Sequence, residues 1–128
     1  MLESGMEEFG YEKLDVWQLS MELVDSIYEI TKNFPKDEAW GLIPQMRRAA
    51  VSIPSNISEG YGLGGRHFAH HLKISLGSSY ELRTQIDIAR RQFFVQENDA
   101  ASHKQTSARV SRMLVGLIRK VSPKDKTG

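Results

Sequence analysis

Residues 45–60 read QMRRAAVSIPSNISEG, and a proline stands in the middle of what is otherwise a helical pattern. Met46, Ala49, Ala50, Ile53 and Ile57 recur at the three-and-four spacing of one buried helical face, with Pro54 among them. Proline has no N–H to give the carbonyl of Ala50, and its ring crowds that carbonyl, at a cost of roughly 3 kcal/mol in an ordinary helix interior. The helix can continue only if packing holds it and other donors serve the freed carbonyl. The expectation is a helix that runs through Pro54 with a bend, its carbonyl served by nearby hydroxyls or by Asn56.

Outward from this stretch, three more periodic segments appear. The first opens at Asp15 as N-cap, buries Val16, Leu19, Leu23, Ile27, Ile30 and Phe34, and ends at Phe34-Pro35; Trp17, Val24 and Tyr28 widen its stripe, and Glu22, Asp25 and Glu29 face away. The proline-containing helix takes Pro44 as its first residue and ends at Gly60 or Gly62. The third runs from Arg66 to Phe94, with Phe68, Leu72, Leu76, Ser79, Leu82, Ile86, Ala89 and Phe93 inward. The fourth, capped by Asn98, carries Val110, Met113, Leu114, Leu117 and Val121 and stops at Ser122-Pro123. No alternating strand pattern or internal repeat is present. Four such helices with short connections make an all-α, antiparallel up-down-up-down four-helix bundle over residues 9–122, with disordered tails at 1–8 and 123–128.

Folding the second helix back on the third about Leu63 sets Ala49 near Gly77. Small residues (Ala49, Ala50, Ser52, Ser55, Ser58, Gly77, Ser78 and Ser79) then let the two backbones approach closely. On that reading Gly77→Leu overpacks the seam.

Composition narrows the function classes. The 128 residues are 40% hydrophobic and 26% charged, which fits one globular domain rather than a disordered chain. No apolar run reaches the roughly 20 residues of a spanning helix and the N-terminus has no signal-peptide pattern, so a cytoplasmic, membrane-free protein is expected. Zero cysteines remove disulfides, thiolate metal sites and cysteine nucleophiles. The net charge of +1 hides a polarity: ten acids against three bases in residues 1–41, and six acids against fourteen bases in residues 42–128. One surface therefore seeks an anionic partner, or acidic and basic surfaces of neighbouring copies meet.

The motifs LDVWQLSMELVDSIYEIT (14–31), FPKDEAWGL (34–42), QMRRAAVSIPSNISEG (45–60) and LGSSYELRTQIDIA (76–89) occur in this order. Together they resemble the four-helix-bundle proteins encoded in intervening sequences of bacterial large-subunit ribosomal RNA genes. The resemblance runs from about Phe9 to Val121. It implies a left-handed bundle assembling into a homopentameric ring. A more distant resemblance, to accessory proteins of diversity-generating retroelements, implies RNA and a reverse transcriptase as partners. Pro44 and Arg83 depart from the family pattern, the latter placing a base where an acid is common.

Chemical signals are few. Gly60, Gly62 and Gly65 satisfy the string G-x-G-x-x-G, but a helix precedes it where dinucleotide binding requires a strand, so a helix cap and turn is the better reading. His67, His70 and His71 sit within two turns without a third ligand at telling spacing; Glu59 and His103 are the nearest candidates. Serines at packing positions do not make a catalytic triad. The chain is thus expected to be non-enzymatic and without cofactor. The stronger signal is basic. Arg109, Arg112, Arg119 and Lys120 recur along helix 4, while Arg83, Asp87 and Arg91 form a charge ladder along helix 3. Antiparallel folding about residue 97 brings Arg83 near Arg112 and Arg90 near Lys104. These eight cations form a candidate strip for the phosphates of structured RNA, with no aromatic residues interleaved to stack on bases. The rival reading is an oligomeric protein scaffold in which basic helices of one copy meet the acidic first helix of the next.

Overall fold

The computed structural model describes residues 9–123, so the expected tail at 1–8 and all but Pro123 of the expected tail at 123–128 lie outside the described residues. Four helices carry the fold: α1 (Asp15–Thr31), α2 (Leu42–Leu63), α3 (Gly65–Arg91) and α4 (Glu97–Val121). Among the described residues there is no strand. Each helix packs on the next, α4 closes on α1, and the diagonal pairs α1–α3 and α2–α4 bring no Cα atoms within 8 Å of each other, which is the expected up-down-up-down bundle. The α2–α3 contact is the most extensive and α1–α4 the least. Leu23, Ile27, Met46, Ile53, Ile57, Leu72, Leu82, Ile86, Val110 and Leu114 are fully buried along the axis. Each such side chain contributes about 1.5–3 kcal/mol relative to exposure.

The helix ends differ from expectation in instructive ways. Asp15 is the first helical residue rather than the cap, which is Leu14, and its carboxylate lies in the first turn, where the helix dipole favours it. Helix α1 stops at Thr31, whose hydroxyl donates back to the Ile27 carbonyl at 2.7 Å, although Phe34 beyond it is still buried. Pro44 is the third residue of α2, not the first; it still costs nothing there, because the first four N–H groups of a helix have no partner within it. The Leu42 N–H instead donates to the Glu38 carboxylate at 2.9 Å. Gly60 and Gly62 lie inside α2, which reaches Leu63, and Gly64 (φ +72) and Gly65 (φ +54) supply the tight reversal into α3. Asn98 caps nothing: α4 begins at Glu97 after Gln96.

Phe93 is the largest departure in side-chain placement. It was expected inward and is 92% exposed, with a left-handed backbone at φ +64. The N–H of Phe94 donates to the Ala89 carbonyl at 2.9 Å and that of Phe93 to Arg90 at 3.0 Å, which is the Schellman pattern that closes a helix. That reversal ends α3 early, swings Phe93 out and turns Phe94 in against Phe34, with ring centroids 5.5 Å apart.

Helix α2 does run through Pro54, which is buried. The expected rescue of the Ala50 carbonyl by Asn56 is not what occurs. Asn56 donates to the Ser52 carbonyl at 2.9 Å and the Ser52 hydroxyl at 3.1 Å, because a side chain two residues past the proline reaches back one turn only as far as residue 52. From α3, Ser75 donates to the Ile53 carbonyl at 2.8 Å, and the Ser52 and Ser78 hydroxyls meet at 2.8 Å. The proline is thus held within a hydrogen-bonded, small-residue seam that buries Ala49 and Ala50. Gly77 is not part of it. A Cβ built at Gly77 meets nothing within 4 Å, because position 77 has rotated onto the exposed face of α3. The glycine that permits close approach is Gly60, where a Cβ would come within 2.7 Å of the His71 Cβ and 3.2 Å of the Phe68 Cα.

Candidate nucleic-acid interface

The eight cations of the candidate strip divide into two groups. Lys104 donates to the Asp87 carboxylate at 2.8 Å across the α3–α4 interface, and the Arg90 Nε lies 3.8 Å from the same oxygen. One carboxylate thus holds two of the expected phosphate ligands, where spacing alone paired it with Arg83 and Arg91. Arg83 turns toward α4: its Nη1 donates to the Ser111 hydroxyl at 2.6 Å and the Ser107 hydroxyl at 3.3 Å, and its guanidinium lies 4.9 Å from the Tyr80 ring centre. Those serines are themselves bound, Ser111 to Ser79 at 2.7 Å and Ser107 to the Ser79 carbonyl at 3.1 Å, so a polar ladder within the α3–α4 packing aims the guanidinium.

The other five, Arg91, Arg109, Arg112, Arg119 and Lys120, are exposed, and among the described residues none has a carboxylate within ion-pair distance. Four of them occupy the outer side of α4, on which no acid occurs after Asp99. Arg83, Arg112 and Arg119 line one open groove of about 510 Å³ between α3 and α4, together with Tyr80, Val115 and Gly116. Among the described residues no carboxylate lines it. Tyr80, Ser107 and Ser111 were missed in the sequence. The available signal was the i,i+4 serine pair facing the i,i+3 Tyr80–Arg83 pair once the two helices are laid antiparallel.

A second groove, of about 550 Å³, runs along the α1–α4 seam and is lined by Asp25, Glu29, Asp99 and His103. Burial lowers the His103 pKa below its ordinary value, and the neighbouring Asp99 carboxylate opposes that shift. At the α2–α3 turn the His70 and His71 rings pack edge to face with centroids 5.3 Å apart, but among the described residues no three potential ligands gather to hold a metal ion. His71 is held by the Asn56 Oδ1 at 2.9 Å, with Glu59 3.7 Å from its other nitrogen. The glycine string is helical at Gly60 and Gly62, so it forms no phosphate loop.

Comparison with known proteins places this bundle in a family. The family described as 23S rRNA-intervening sequence protein matches over residues 12–116. The chain belongs to that family. Among solved structures, a protein of unknown function from the S23 ribosomal protein family of Bacteroides thetaiotaomicron superposes with a TM-score of 0.75 at 22% identity, over 81% of this chain and 95% of that one. That likeness concerns the fold. A search of curated proteins finds no match. In this member of the 23S rRNA-intervening sequence family, the groove cations lie on α3 and on the C-terminal half of α4, and the matched span includes Arg83, Arg109 and Arg112 but ends before Arg119 and Lys120. Among the described residues, no helix is long and apolar enough to cross a membrane.

Proposed function

We propose that this protein is a non-enzymatic, oligomeric RNA-binding bundle that holds phosphates on the outer face of α4. The observation that carries this reading is the row of Arg109, Arg112, Arg119 and Lys120, exposed and without carboxylate partners among the described residues. Uncompensated cations in a row favour a polyanion, and binding releases the counterions condensed on it. The RNA in view is structured: a ribosomal transcript, in keeping with the family's name, or the RNA of a reverse transcriptase that such a bundle assists. Repetition of the row in a ring, five copies on the resemblance, multiplies modest contacts through effective concentration.

Labelled structured RNA titrated at several salt concentrations tests this. Wild type should lose affinity steeply with salt, and Arg109→Glu, Arg112→Glu and Arg119→Glu together should flatten the slope by about two to three units on a log–log plot. Salt-independent or absent binding by wild type overturns the reading.

One observation favours the rival, a protein scaffold without RNA. Helix α1 carries the exposed acids Glu22, Asp25 and Glu29, of which Asp25 and Glu29 line the acidic α1–α4 groove, a surface suited to a basic helix of a neighbouring copy. On that reading the arginine triple variant changes its sedimentation mass while RNA binding is absent throughout.

A further inference from the structure

We propose that the α3–α4 groove binds one unpaired nucleotide of an RNA strand, its phosphates on Arg83, Arg112 and Arg119 and its base against the ring of Tyr80. The inference rests on the RNA reading and adds to it a place where single-stranded RNA is told from duplex.

Three guanidinium groups line this groove and, among the described residues, no carboxylate does. Like charges gathered in one cleft repel, and an anion lodged among them removes that cost. Toward the α3–α4 connection Asp87 compensates Lys104 and Arg90, and what sets the groove apart from the single exposed cations Arg91, Arg109 and Lys120 is that its three guanidinium groups share one cleft. Arg83 is fixed in advance: Ser111 and Ser107 hold one of its nitrogens and Tyr80 lies against its plane, so its remaining N–H groups are set for a phosphate oxygen before any ligand arrives. Arg112 and Arg119 are exposed and seven positions apart on α4, about 10.5 Å along the axis, which places them to engage two phosphates of one strand rather than the same one. Tyr80 is 49% exposed while one side of its ring serves Arg83, leaving ring surface open to the groove. A base stacked there extends a guanidinium–ring pair already formed. A base within a duplex is stacked on its neighbours and has no free face to offer.

The test uses the full chain with a labelled single-stranded RNA oligonucleotide and a fully paired duplex of the same length. Tyr80→Ala should weaken single-strand binding by about tenfold or more and leave duplex binding unchanged, and Tyr80→Phe, which keeps the ring, should bind like wild type. Arg112→Gln should weaken both. If wild type binds RNA in a salt-dependent way but Tyr80→Ala and Arg112→Gln bind the single strand equally well, the groove assignment is wrong and the broader reading stands. Absence of salt-dependent binding by wild type removes both. A changed sedimentation mass for Tyr80→Ala or Arg112→Gln, with circular dichroism intact, overturns the proposal by placing the groove between copies of the chain.

Discussion

Gly60 and Gly77 are both helical glycines, and their surroundings give the same substitution opposite signs. At Gly60 an added methyl meets the His71 Cβ at 2.7 Å and backbone of Phe68 at 3.2 Å, neither of which is the free end of a flexible chain. Gly60→Ala should therefore lower stability by about 1–3 kcal/mol through overpacking. At Gly77 the methyl enters open space, so Gly77→Ala should raise stability by roughly 0.5–1 kcal/mol by restricting the unfolded chain. Thermal melts of the two variants check both signs, and Gly77→Leu should not show the collapse that the pattern alone predicts. Phe93 makes a third case. Its left-handed backbone costs a non-glycine residue roughly 1–2 kcal/mol. Phe93→Gly should raise the melting temperature and Phe93→Val, β-branched at φ +64, should lower it. Neither the rotation of Gly77 outward nor the reversal at Phe93 is visible in apolar spacing, because both depend on where a helix ends or how it turns against its neighbour.

At the level of whole elements, α3 and α4 are joined by two different polar devices. Toward their shared connection, Asp87 clamps Arg90 and Lys104; nearer the middle, the Ser79–Ser107–Ser111 ladder supports Arg83. The Asp87 and Lys104 side chains remain more than a third exposed, so the clamp is worth at most about 1 kcal/mol. Its larger effect is on charge available to a ligand. Asp87→Asn should leave the melting temperature nearly unchanged and strengthen RNA binding, since it removes one negative charge and releases two cations to phosphate. Weaker RNA binding by this variant would mean that the clamp orders the interface rather than withholding charge from it. The antiparallel register that brings these helices together was legible in the sequence, for Arg83 with Arg112 and Arg90 with Lys104 follow from connection length. What was not legible is that Asp87 takes Lys104 across the interface instead of Arg83 or Arg91 on its own helix. Ladder pairs on one helix gain only about 0.2–0.5 kcal/mol, so a better aligned partner from outside displaces them.

Across the whole molecule, α4 separates two grooves of opposite sign, one basic with α3 and one acidic with α1. The acidic seam is also where the bundle is least tightly closed. His103 lies in it with a pKa lowered by burial, so the folded state binds its proton less readily than the unfolded chain. Its contribution is fully present above the ordinary value of 6.5 and is lost as pH falls below it. Acidification from neutral pH toward 5.5 should thus lower the melting temperature of wild type, and His103→Gln should lessen that fall. An equal fall in both proteins would assign the acid sensitivity to other groups.

By itself the sequence determined the four helices, their order, the passage of α2 through Pro54 and the segregation of acids to α1 and bases to α3 and α4, because periodicity and connection length act within or between adjacent segments. Tertiary structure decided the rest: which carbonyls the seam donors serve, that Gly60 rather than Gly77 is the point of close approach, and which cations stay uncompensated. Each of these depends on how one helix is rotated about its axis against another. A rotation of a few tens of degrees carries a side chain from interface to solvent while leaving its place in the apolar pattern unchanged.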